Sequence, residues 1–132
     1  PRVGALSVLR KVYFDPGRIT EETIRVYADA LSAPGAHAAM SATARQIVPN
    51  DAEAIEAQYP SIRVPALVVW GDHDEIIPVA LGRRLADDLP LARFVELADC
   101  GHAPQEEMPE ATADLVGGFL ADLDADVSRR IG

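Results

Sequence analysis

Two short polar segments hold most of the side chains that could do chemistry. One reads Trp70-Gly71-Asp72-His73-Asp74-Glu75 and the other Asp99-Cys100-Gly101-His102-Ala103-Pro104. A carboxylate that accepts a hydrogen bond from imidazole Nδ1 fixes the tautomer and direction of the ring. Nε2 is then free to take a proton from a nucleophile or a water. An acid of the first segment placed beside His102 would therefore make the acid and base of a triad. The imidazole and carboxylate side chains of Asp72, His73, Asp74 and His102 also suit zinc or manganese. Consecutive residues on a turn point in different directions and rarely chelate one ion, so no metal is expected.

The elements around these segments explain how they meet. Ala66 to Trp70 is a continuous apolar run between Pro65 and Gly71, which suits a strand buried on both faces. Val79 to Leu89 has helical spacing, with Leu81, Leu85 and Leu89 on one side, and a second strand follows at about Arg93 to Leu97. A last helix carries Leu115, Val116, Phe119, Leu120 and Leu123 toward a core. Strand, helix, strand and helix form a right-handed βαβ unit with a following helix, so the two polar segments lie beyond the carboxyl ends of adjacent parallel strands, where open α/β sheets hold their ligands. Two strands leave a long edge unpaired, and another chain or a further part of the protein is expected to complete the sheet.

The first sixty residues read as helices. Val3, Leu6, Leu9 and Val12 or Tyr13 recur near helical spacing until Asp15-Pro16-Gly17, and Thr20 caps a second helix with Glu21 and Glu22 in its first turn. Its apolar stripe is Ile24, Tyr27, Ala28 and Leu31. Pro34-Gly35 breaks it, a third helix runs from about Ala36 to Ile47, and a short helical turn covers Ala52 to Gln58.

From about Ile62 to Leu120 the chain resembles the C-terminal part of the α/β-hydrolase superfamily, in its lid-bearing branch of esterases, epoxide hydrolases, haloalkane dehalogenases and carbon–carbon bond hydrolases. The matching residues are Pro65, Trp70-Gly71, Asp74, Pro78, Gly101-His102, Pro104, Glu107, Pro109 and Phe119-Leu120. The resemblance implies that Asp74 is the triad acid and His102 the general base. It makes residues 1–60 a helical lid and residues 61–132 the C-terminal strand–helix–strand–helix part of the core, and it implies no metal or organic cofactor. Asp72 is then better explained as a turn residue, His73 as its solvent-facing neighbour and Cys100 as a small buried side chain.

The family's nucleophile elbow, Gly-x-Ser-x-Gly or its Asp-bearing variant, has no counterpart at Ser7, Ser32, Ser41, Ser61 or Ser128, or at any Asp, and its His-Gly oxyanion motif is absent. The expectation is a hydrolase of an ester or similar small-molecule bond whose nucleophile half lies outside this chain, leaving the isolated chain inactive. Pro1 in place of an initiator Met agrees with a truncated piece. The rival reading is a non-enzymatic module that self-associates or binds a partner through its open sheet edge.

Composition narrows the alternatives. The 132 residues suit one domain, and 48% apolar with 25% charged residues is the balance of a globular chain. Twelve Lys and Arg against twenty-one Asp and Glu give a net charge of −9, which repels phosphate backbones and anionic lipid, so neither nucleic acid nor membrane is an expected partner. The single cysteine cannot form an internal disulfide, and the N-terminal apolar stretch, interrupted by Arg10 and Lys11, is too short to span a bilayer. A cytoplasmic location is expected. His37, Tyr13, Tyr27, Tyr59 and Trp70 are assigned to packing.

Overall fold

Helix α1 (Arg2–Val12) buries Ala5, Leu9 and Val12 on one stripe and ends with Arg10 and Lys11, whose charge suits the negative end of a helix dipole. The computed structural model describes residues 1–131. Asp15 turns the chain by accepting the Gly17 N–H at 2.8 Å. Helix α2 (Glu21–Ser32) then starts as expected, with the Thr20 hydroxyl accepting the Thr23 N–H at 3.0 Å. The two helices pack together through Leu9, Val12, Tyr13 and Ile24, and Ala103, from the far end of the chain, closes the same cluster. Helices α3 (Ala36–Gln46) and α4 (Ala52–Glu56) bury no residue fully. Helix α3 begins at Gly35, whose φ of 81° favours glycine.

Strands β1 (Ala66–Gly71) and β2 (Ala92–Leu97) pair in parallel, with Val68 opposite Phe94 and Gly71 opposite Leu97. Helix α5 (Val79–Asp88) makes the crossover and packs on both strands. The approach depends on Gly82, where a Cβ would lie 2.5 Å from the Trp70 ring. This is the α/β fold expected from the sequence, with two parallel strands and flanking helices. The final helical stretch is divided, because Met108 leaves helical geometry, with φ −133° and ψ 62°, ahead of Pro109, leaving α6 (Pro104–Glu107) and α7 (Pro109–Ile131).

Burial departs from the sequence expectation in two places. Strand β1 buries only Val68 and Gly71, and Leu67, Val69 and Trp70 are half-buried rather than covered on both faces. On α7, Leu115, Phe119 and Leu123 are half-buried, whereas Val116 and Leu120 remain 43% and 54% exposed. Both differences have one cause: a two-stranded sheet, with β1 paired on one edge only, is too narrow to cover the apolar faces that surround it. Among the described residues, no helix is long and apolar enough to cross a membrane.

Candidate active site

The loop after β1 presents Asp74 through a turn that its own carboxylate closes. Oδ1 accepts the backbone N–H groups of Ile76 and Ile77, each at 2.8 Å. The Trp70 indole N–H secures the other side of the turn by donating to the Ile77 carbonyl at 2.9 Å. Oδ2 remains, and it lies 2.8 Å from His102 Nδ1. The Asp74 side chain is 3% exposed and that of His102 34%, so the acid is enclosed while the imidazole faces an opening. An ionised carboxylate only accepts, so Nδ1 carries the proton of a neutral ring and Nε2 holds the free lone pair.

The loop after β2 brings His102 to this position through close backbone contacts. At Gly71 a Cβ would lie 2.1 Å from the Gly101 carbonyl oxygen, and at Gly101 one would lie 2.3 Å from the Val12 carbonyl oxygen. Both glycines are needed because three backbone segments cross without intervening side chains. The His102 N–H donates to the Val12 carbonyl at 2.7 Å, joining the end of α1 to the loop.

Asp72 is engaged elsewhere. Its Oδ1 lies 2.6 Å from His73 Nδ1 and accepts the Cys100 N–H at 3.3 Å. Burial opposes its charge, but the hydrogen bonds from His73 and Cys100 outweigh that and hold its carboxyl below the usual range. His73 is half-exposed, as expected of a solvent-facing residue, yet its ring also lies 3.9 Å from that of Phe14, centre to centre. Cys100 is fully buried, and its thiol is pushed up to about 11 by burial and the nearby Glu107 charge, which leaves little thiolate to act as a nucleophile.

Glu106 carries no signal of a role in the sequence, and Glu107 carries only its place in the family pattern. Glu106 accepts hydrogen bonds from the hydroxyls of Tyr13, at 3.2 Å, and Tyr27, at 2.9 Å. Burial, together with the Glu106 charge and hydrogen bonds, pushes both phenols up to about 12. Glu107 accepts the backbone N–H groups of Gly101, Phe14 and Asp15. These partners lie 79 to 93 residues away except for Gly101, so no local pattern signals them.

Asp74 and His102 open onto a cleft of about 250 Å³ whose walls include Val69, Trp70, Ile77 and Thr112. Among the described residues, the Thr112 hydroxyl, buried there, finds no hydrogen-bond partner. Among the described residues, no group of three or more His, Cys, Asp or Glu side chains is arranged to hold a metal.

Comparison with known proteins identifies the family and the fold. The sequence model of the alpha/beta hydrolase family matches residues 2–115. The chain belongs to that family. The chain is 34% identical over 115 residues to 2-hydroxymuconate semialdehyde hydrolase of Pseudomonas sp. strain CF600, covering 85% of the chain and 41% of the relative. It is 31% identical over 117 residues to the uncharacterized hydrolase YugF of Bacillus subtilis strain 168, covering 89% and 42% respectively. The fold superposes on the meta-cleavage product hydrolase CumD of Pseudomonas fluorescens IP01 with a TM-score of 0.77 at 19% identity, covering 93% of this chain and 46% of that one. The chain thus spans about two fifths of the length of these curated relatives.

Proposed function

We propose that Asp74 and His102 are the acid and base of a nucleophile–His–Asp triad, and that the attacking group comes from residues outside these 132. The observation that carries the reading is the 2.8 Å contact between His102 Nδ1 and an Asp74 oxygen whose partner oxygen is held by two backbone N–H groups. In this reading His102 Nε2 takes the proton of the nucleophile as it attacks an ester or similar carbon centre. Asp74 stabilises the resulting imidazolium, and the proton then passes to the leaving group. Binding and hydrolysis by this route need no metal or organic cofactor.

The helices of residues 1–60 serve as a lid over the cleft, anchored where the end of α1 touches His102. The open edge of β1 and the apolar Val116 and Leu120 form the surface that meets the nucleophile-bearing half. Without that half, the surface drives self-association. The single cysteine, which cannot form an internal disulfide, fits a reducing, cytoplasmic setting.

The decisive variant is His102→Ala in a complete hydrolase. Turnover should be abolished while substrate still binds, and near-normal turnover would overturn the assignment. The 132-residue chain should hydrolyse p-nitrophenyl butyrate no faster than its own His102→Ala variant, since a triad without nucleophile and oxyanion donors loses most of its rate enhancement. The open edge of β1 also favours a second reading, a non-enzymatic module that binds a partner by strand addition. A Gly-x-Ser-x-Gly or Gly-x-Asp-x-Gly sequence preceding these residues in the same reading frame would decide for the enzyme.

A further inference from the structure

We infer that Glu107 is a positioning residue for His102, tying the base's backbone to the helical segment that precedes the sheet. The inference rests on reading His102 as the base. The Glu107 side chain is completely buried. Its Oε2 accepts the Gly101 N–H at 2.7 Å and the Phe14 N–H at 3.2 Å, and its Oε1 accepts the Asp15 N–H at 2.8 Å. The Arg18 guanidinium stands 3.6 Å from Oε1 on the more open side.

These contacts bear on one bond. The His102 N–H donates to the Val12 carbonyl at 2.7 Å, and the chain on both sides of that bond is held by the same carboxylate: Gly101 immediately before His102, and Phe14 and Asp15 just after Val12. The segments touch directly at Gly101, where a Cβ would meet the Val12 oxygen at 2.3 Å and the Phe14 nitrogen at 2.7 Å. If Glu107 lets go, the segments can separate, and the imidazole must give up either its Val12 tether or its alignment on Asp74. A glutamine here would turn an amide N–H₂ toward backbone N–H donors, leaving buried donors unsatisfied. Glu107 has no contact with Asp74 in the hydrogen-bond network, so its effect on the ring must pass through the backbone.

The experiment is long-range ¹H–¹⁵N NMR of the His102 imidazole in the 132-residue chain, which reads the tautomer without requiring activity. In the unaltered chain the neutral ring should be mostly the Nδ1–H form, and Asp74→Asn should convert it to mostly Nε2–H. Glu107→Gln should move the ring toward Nε2–H and speed Gly101 amide exchange about tenfold or more. Ile24→Val, which trims the α1–α2 packing without touching the carboxylate, should leave the tautomer unchanged. If Glu107→Gln does not fold, Glu107→Asp keeps the charge but withdraws it by one methylene, and should give a smaller shift in the same direction. A folded Glu107 variant with an unaltered tautomer would overturn the positioning role. An Nε2–H majority in the unaltered chain would instead remove the Asp74–His102 pairing, and with it the triad reading.

Discussion

Asp74 divides its two oxygens between two tasks: Oδ1 closes a turn on Ile76 and Ile77, and Oδ2 meets His102 Nδ1 across 2.8 Å. The direction of the second oxygen is therefore set by the backbone of the loop that carries it. A side-chain rotation that released His102 would also break the two hydrogen bonds to the Ile76 and Ile77 backbone, and this is how a loop residue can aim an imidazole reproducibly.

Asp74→Asn should preserve much of that turn, since an amide oxygen can still accept from Ile76 and Ile77, but it removes the charge that selects the Nδ1–H tautomer. In a complete hydrolase the expected loss in kcat is about four orders of magnitude, with a much smaller change in substrate binding. Steady-state kinetics with a binding measurement on the same variant checks this.

Gly71→Ala should destabilise the fold severely. The added methyl would fall 2.1 and 2.3 Å from the carbonyl oxygens of Gly101 and Cys100, which are backbone atoms and cannot swing aside. A loss of about 3 kcal/mol is expected from the urea midpoint, with the His102 loop displaced before the rest of the sheet.

Tyr13 and Tyr27 should ionise near pH 12 in the folded chain, above the ordinary phenol value of 10.0. Because folding raises these values, their contribution to stability is fully present below about pH 10 and is lost as pH rises through about 12. Phenolate absorbance against pH should show the late transition, and Glu106→Gln should move it to lower pH by removing the neighbouring negative charge.

Leu120→Lys together with Val116→Lys should weaken association without disturbing the fold, since both side chains are largely exposed in the isolated chain. Sedimentation velocity should show a concentration-dependent oligomer for the unaltered chain and a monomer for the double variant. A monomeric unaltered chain at high concentration would remove this surface from the binding model.

The parts of the fold that depend on neighbouring residues were legible in the sequence. Thr20 with its following acids marks the start of α2, and the apolar run between Pro65 and Gly71 marks β1. The parallel pairing of β1 with β2 then places the Asp74 and His102 loops side by side, as the strand–helix–strand order requires. The shared carboxylate of Glu107 was not legible, because the backbone N–H groups of Phe14 and Asp15 carry no side-chain signature across more than ninety residues. Nor was the exposure of Val116 and Leu120, whose spacing marks an apolar face of α7 but says nothing about what covers it.

Trp70 is the only tryptophan in the chain, and its indole lies against Gly82 with its N–H committed to the Ile77 carbonyl beside the Asp74 turn. The molecule therefore carries an intrinsic fluorophore at the base of its acid loop. A shift in emission on adding a ligand, denaturant or second polypeptide would register the opening or tightening of that loop, with no label attached and no turnover required.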